Sequence, residues 1–477
     1  MKPMILRNAN IVTDCASYSS DILIRDERIV AIGEHLDHTG ADEVDASPYL
    51  TIPGGVDIHT HMDMPFGGTV TSDDFETGTI AAAVGGTTCV IDFAIQSPEG
   101  SLVEARDQWL AKAVDRCAID FGLHLIVRRV DDPTLREMRV LVAEGITTFK
   151  VFLAYPGVFM ITDADLLRML VTASDLGALV MVHAENGPII AALVDEALGQ
   201  GQTSARYHSV SRPVETEREA VARAISISRL AGEAPVYFVH VSSRAALDEI
   251  RRARAGGQPV FAETCTHYVL LSDERYTAPG FEAAKYVMSP PLRSLDDQAA
   301  LWRGLATGGL DVISSDHCPF VFGEGYPGLP AQKALGIDDF SKIPNGVPGV
   351  EDRLTMTFTR GVAAGEITVN RWVALTSSNP ARLAGIYPQK GAIVVGSDAD
   401  LVLWDPTVRR SIRAEQQHMR IDYNLYEGME AVGEPAIVMS RGSIVARHRE
   451  YVGRPAHGRY LKRMVPAVGL ARRLKEG

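Results

Sequence analysis

Apolar runs alternating with amphipathic stretches through the middle of the chain, β-like texture at both ends, and reactive residues recurring at the ends of the runs predict one architecture. It is an α/β fold: a (β/α)8 TIM barrel with a smaller β-sandwich domain built from both chain termini. The expected boundaries are 1–51 and 381–460 for the β-sandwich, 52–380 for the barrel and 461–477 for a C-terminal tail.

Taken in order, the first segment reads as short strands at Ile5 to Val12, Ile22 to Arg25 and Arg28 to Ile32, with Arg25-Asp26-Glu27-Arg28 as a polar turn. The far end repeats that texture at Ala399 to Trp404, Ala436 to Met439 and Ser443 to Ala446. Neither end is long enough to bury a sheet alone, so the two are expected to combine. Between them lie eight strand candidates: Ile52 to His59, Thr87 to Phe93, Gly122 to Val127, Thr147 to Leu153, Leu179 to His183, Val236 to Val241, Val260 to Cys265 and Asp311 to Ser315. Helical patterns at Leu102 to Val114, Pro133 to Glu144, Asp163 to Leu176, Glu215 to Leu230, Arg244 to Ala255 and Leu295 to Ala306 supply the crossovers. Eight βα units imply a closed barrel rather than an open sheet.

A length of 477 residues with 46% hydrophobic and 22% charged residues suits a globular chain with a large core. The net charge of −13 argues against a nucleic-acid partner, which needs clustered cations. Five widely spaced cysteines without a CxxC pair fit neither a disulfide framework nor a zinc-thiolate finger, and a cytoplasmic setting is expected. The first thirteen residues interleave charged and amide groups with apolar ones, unlike a signal peptide, and no run is long enough to span a membrane.

Barrel enzymes carry their chemistry at the C-terminal strand ends. His59 and His61 flank a threonine at the end of the first strand, so alternate positions can present two imidazoles to one metal. His183 and His240 end the fifth and sixth strands; either alone reads as a satisfied core histidine, but beside the first pair they read as ligands. Asp316 follows the eighth strand, where a buried carboxylate needs a cation, a helix cap or an ion-pair partner. As a ligand it could also accept and return a proton. Lys150, within the fourth strand, is the odd member. It either pairs with a carboxylate such as Asp316 or loses its charge through burial, and a neutral amine can add carbon dioxide to become an anionic bridging carbamate.

These residues lie in Gly-Gly-Val-Asp-Ile-His-Thr-His-Met-Asp-Met-Pro-Phe, Phe-Lys-Val-Phe-Leu-Ala-Tyr, Val-His-Ala-Glu-Asn, Val-His-Val-Ser-Ser, Ser-Asp-His-Cys-Pro-Phe and Pro-Asn-Gly-Val-Pro-Gly. The set resembles the dihydropyrimidinase and D-hydantoinase family of the amidohydrolase superfamily, over nearly the whole chain. The resemblance implies two Zn2+ per subunit. His59, His61 and Asp316 would hold one ion and His183 and His240 the other, with carboxylated Lys150 and a hydroxide as bridges. It further implies that Tyr155 donates to the developing oxyanion, that Ser289 and Asn345 grip the amide edge of the ring, and that the assembly is a homotetramer. Met64, Phe66, Phe152 and Phe159 fall where the family lines its pocket for the ring substituent, although such a cluster also suits a core. Tyr155-Pro156-Gly157 and Asn345-Gly346 read equally as turns. His208, His267, His317 and His457 are expected to be structural or surface residues.

The implied reaction is hydrolysis of the cyclic amide of a dihydropyrimidine or 5-substituted hydantoin to an N-carbamoyl amino acid. A dihydroorotate enzyme would be expected to carry an arginine shortly after His61 to pair the substrate carboxylate, and Met62-Asp63 stand there instead. An allantoinase is the nearer enzymatic alternative. A non-catalytic scaffold would have lost ligands, and all six positions are filled here.

Overall fold

The computed structural model describes residues 2–467, so of the tail expected over 461–477, residues 468–477 lie outside the described residues. Eight parallel strands form one sheet in strict chain order: Gly55–Thr60, Thr87–Ile95, Asp120–Ile126, Thr148–Phe152, Leu179–His183, Val236–Phe238, Val260–Cys265 and Val312–Ser314. Their residues are buried nearly throughout, as expected for strands covered on both faces. A bridge between Thr60, at the end of the first strand, and His317, just past the last, nearly closes the barrel.

The crossover helices start and stop on local chemistry. Ser101 and Glu104 form a capping box for Leu102–Ala113, and Thr162 and Asp165 form another for Asp163–Leu176, which Gly177 ends in the left-handed conformation at φ 72°. Ser243 and Ser294 cap Arg244–Ala255 and Leu295–Thr307. Among the described residues, no helix is long and apolar enough to cross a membrane.

Strands from both chain ends pair in a single nine-stranded mixed sheet. The joint is antiparallel, Leu50–Pro53 against Leu401–Ser411, with Thr51 opposite Leu403. Leu6, Ile11, Ile22, Ile29, Leu401, Leu403 and Met439 build its own core. Beneath it, the Lys390 ammonium lies 2.6 Å from Asp120, 3.0 Å from Asp398 and 2.8 Å from Asp400, all buried. Asp120 begins the third barrel strand, so this cluster pins sheet to barrel. Residues 460–464 also run along the N-terminal end of the barrel, where Leu461 N donates to Phe121 O at 2.7 Å.

Candidate metal centre

The seam that closes the barrel also assembles the site. His61 N donates to His317 O at 2.8 Å, and Ser315 N donates to Asp57 Oδ1 at 3.3 Å, which brings the end of the first strand against the chain after the eighth. His59 Nε2 and His61 Nε2 consequently lie 3.1 and 3.3 Å from Asp316 Oδ1. The ligand atoms of these three residues fall within 4.8 Å of one another, a group able to hold a metal ion. Lys150 Nζ sits 3.0 Å from His59 Nε2. Across it, the His183 and His240 rings are 4.5 Å apart, and the His240 ring is 5.5 Å from that of His59.

Electrostatics favour a cation. Burial pushes His61 down to about 3 and carries His240 well below the usual imidazole range, so both offer lone pairs. Burial opposes the Asp316 charge, but the pull of His59 and hydrogen bonds from both histidines hold its carboxyl well below the usual range. Burial also lowers the Lys150 amine to about 8. Among the described residues, His61 Nδ1, His240 Nδ1 and Glu185 Oε1 are buried with no hydrogen-bond partner. His61 and His240, kept neutral by burial, and the Asp316 carboxylate fit a divalent metal by the chemistry of the donor set, and such an ion would take the place of the proton that, against burial, Asp316 and Glu263 favour on His59.

Backbone geometry at the site is unusual. His240, Asp316 and Tyr155 have φ of 40°, 47° and 61°, a region that costs non-glycine residues about 1–3 kcal/mol each. The turn at His240 ends the sixth strand at Phe238, earlier than the Val241 expected from its apolar run.

His61, Lys150, His183, His240 and Asp316 line one cleft with Tyr155, Ser289, Asn345, Met64, Phe66, Phe152 and Phe159, while His59 lies fully buried beneath it. Asn345 Nδ2 donates to Ser289 Oγ at 3.1 Å and approaches the Tyr155 hydroxyl at 3.4 Å, so three residues distant in sequence share one wall. Burial raises the Tyr155 hydroxyl above its ordinary value and keeps it a donor. Phe152 and Phe159 stack at 5.0 Å and Phe66 lies 5.9 Å from Phe159, an aromatic group that the Tyr155 ring joins at 5.7 Å from Phe66. Among the described residues, no arginine lines this cleft.

Several supporting residues escape sequence reasoning. Glu263, inside the seventh strand, accepts from His59 Nδ1 and from the Tyr237 hydroxyl, the latter at 2.9 Å, and so aims His59 Nε2 inward. Glu185 Oε2 lies 2.8 Å from His183 Nε2. Asp92 accepts from Met62 N at 2.8 Å and from the Thr60 hydroxyl at 2.9 Å, fixing the backbone around His61. For Glu263 and Asp92 the available signal was a charged residue within an apolar strand. The four remaining histidines of interest are all buried and structural: His317 lies 3.0 Å from Asp73 Oδ2, His208 2.7 Å from Met288 O, His457 3.1 Å from Ser440 O, and His267 packs edge-on against Tyr268.

Barrel and site together define a TIM-like barrel protein with a candidate metal centre at its C-terminal strand ends. The amidohydrolase family model matches residues 50–445. The chain is 48% identical over 460 residues to the D-hydantoinase of Geobacillus stearothermophilus, covering 96% of each chain, and 48% identical over 464 residues to that of Streptomyces coelicolor, covering 96% and 97%. The crystal structure of the dihydropyrimidinase from Brevibacillus agri superposes with a TM-score of 0.95 at 48% identity, over 98% of this chain and 99% of that one. The chain belongs to the dihydropyrimidinase and D-hydantoinase family of the amidohydrolase superfamily.

Proposed function

We propose that the protein hydrolyses the ring amide of 5,6-dihydropyrimidines and 5-substituted hydantoins, giving N-carbamoyl amino acids. The observation that carries this reading is the single cleft in which the histidine, lysine and aspartate group faces Tyr155, Ser289 and Asn345. By the family resemblance, His59, His61 and Asp316 would hold one Zn2+ and His183 and His240 a second, with Lys150, once carboxylated, as a shared ligand. When bound, such ions lower the pKa of water towards neutrality and polarise a carbonyl.

The chain's own groups do the rest. Ser289 and Asn345 orient the amide edge of the ring, so that the scissile carbonyl faces the histidines. Asp316, held as an anion, accepts the proton of the attacking water and returns it to the ring nitrogen as the carbon–nitrogen bond breaks. Tyr155, kept protonated by burial, donates to the oxygen on which negative charge develops. The ring substituent lies among Met64, Phe66, Phe152 and Phe159. The absence of arginine from the cleft lining favours a neutral ring over one bearing a carboxylate.

Turnover of zinc-loaded protein on dihydrouracil, hydantoin, 5-phenylhydantoin, allantoin and dihydroorotate tests the reading. Hydrolysis of the first three is expected, and failure on all of them would sink it. A homotetramer is proposed on the family resemblance, to be checked by light scattering for four times the chain mass. The five free cysteines support a reducing, cytoplasmic setting.

A further inference from the structure

Lys333 is fully buried, yet among the described residues it has no carboxylate partner. Its ammonium donates to three backbone carbonyls instead: Val287 O at 3.0 Å, Pro344 O at 2.8 Å and Gly346 O at 2.8 Å. An ammonium has three protons and these are three acceptors, so the match is complete only while the amine is charged. Burying such a charge against neutral groups is costly, and an apolar side chain of similar size would avoid that cost.

The three carbonyls belong to two separate stretches of chain. One runs through Val287 to Ser289, and the other, residues 344–346, holds Asn345. Gly346 N also donates to Val287 O at 3.0 Å, so the stretches touch directly as well as through the ammonium. The base of Lys333 is itself held: its N–H donates to Val321 O at 3.0 Å, while neighbouring Gln332 accepts from Val321 N and donates to the Thr69 hydroxyl, each at 2.9 Å. A Cβ at Gly346 would stand 2.4 Å from Cys318 O, so this segment has no room to drift.

We propose that Lys333 is a positioning residue that clamps the Ser289 and Asn345 segments at the separation the ring's amide edge requires, and thereby sets substrate affinity. The inference rests on the reading that those two segments grip the ring. Burial pushes the ammonium down to about 7. The titratable groups that sense it are Cys318, whose thiol burial carries well above its usual range, and His208, which burial carries well below; both are neutral. Loss of the third proton removes one strand of the clamp as pH rises.

The test compares zinc-loaded wild type with Lys333→Met on dihydrouracil, whose ring stays neutral across the working range. Lys333→Met is expected to raise KM about tenfold or more, the worth of a charged hydrogen bond, while kcat falls less than about threefold and bound zinc is unchanged. An unchanged KM in folded Lys333→Met overturns the clamp, as does a loss of kcat that follows zinc loss. If Lys333→Met does not fold, Lys333→Gln, which keeps two donors on a shorter stem, decides by the same split: a raised KM with kcat and bound zinc held supports the clamp, and an unchanged KM overturns it. Methylating the nitrogen on the ring's amide edge blocks the grip without touching Lys333. A methylated ring bound as well as its parent sinks the gripping reading itself, whereas weakened binding beside an unaffected Lys333→Met sinks the clamp alone.

Discussion

Lys150 carries an amine into a barrel strand among histidines, with the Phe93 ring 4.2 Å below it. Burial lowers it to about 8, so its neutral fraction grows as pH rises through that value, and the neutral amine is the form that adds carbon dioxide. Metal-stripped protein is therefore expected to regain activity faster with bicarbonate and, at a fixed concentration of dissolved carbon dioxide, faster as pH rises from about 6 to 8. Reactivation measured at fixed zinc that is indifferent to both would argue against the carbamate. Glu263→Gln is expected to weaken zinc binding about 10–100-fold, read by competition with a chelator, because it disturbs the partner that fixes His59 Nδ1. Histidine spacing made the imidazoles legible at this scale. Glu263 was not legible, because a lone carboxylate within Val260–Cys265 is silent until the strand's neighbours are known.

Elements report a different kind of information. Asp163–Leu176 and Arg244–Ala255 have the bounds their periodicity predicts, because capping residues are written beside them. Glu430–Ser440 is longer than the Ala436 to Met439 run, because Gly433 and Pro435 read as a turn while its pairing to Leu401–Ser411 is set from far away. The hairpin of Pro65–Phe66 with Thr69–Val70, and the short irregular helices over 353–384, carry no strong periodic signal and went unread. Asp92 shows what such connections need. Its carboxylate satisfies Thr60, Met62 and, at 3.3 Å, the Trp109 indole, so Asp92→Ala orphans three buried donors. A loss of about 3 kcal/mol is expected in denaturant unfolding of the metal-free protein, and a change below about 0.5 kcal/mol would contradict that role.

For the molecule as a whole, the Lys390 cluster couples the two halves. Lys390→Met would leave Asp120, Asp398 and Asp400 facing one another without their shared ammonium. A destabilisation of about 3 kcal/mol is expected, chiefly from Asp400, since Arg441 still pairs with Asp120 and Arg28 with Asp398. Thermal unfolding with and without zinc would show it, and an unchanged midpoint would mean the acids find other partners. The alternation of strand and helix made the barrel readable, and β texture at both ends made their union readable. The cluster itself was hidden, because its members sit far apart in sequence and each reads alone as a turn or strand-end residue.

The joint between Leu50–Pro53 and Leu401–Ser411 has a consequence for biosynthesis. A ribosome delivers the early strands hundreds of residues before the strand that covers their edge, so a nascent chain carries an open β-edge through most of its translation. A chain stopped at residue 400 would keep that edge permanently, and it is expected to sediment as aggregates while the full-length protein stays in solution. The newborn chain thus ceases to be adhesive only once Leu401–Ser411 has been made and seated against Leu50–Pro53.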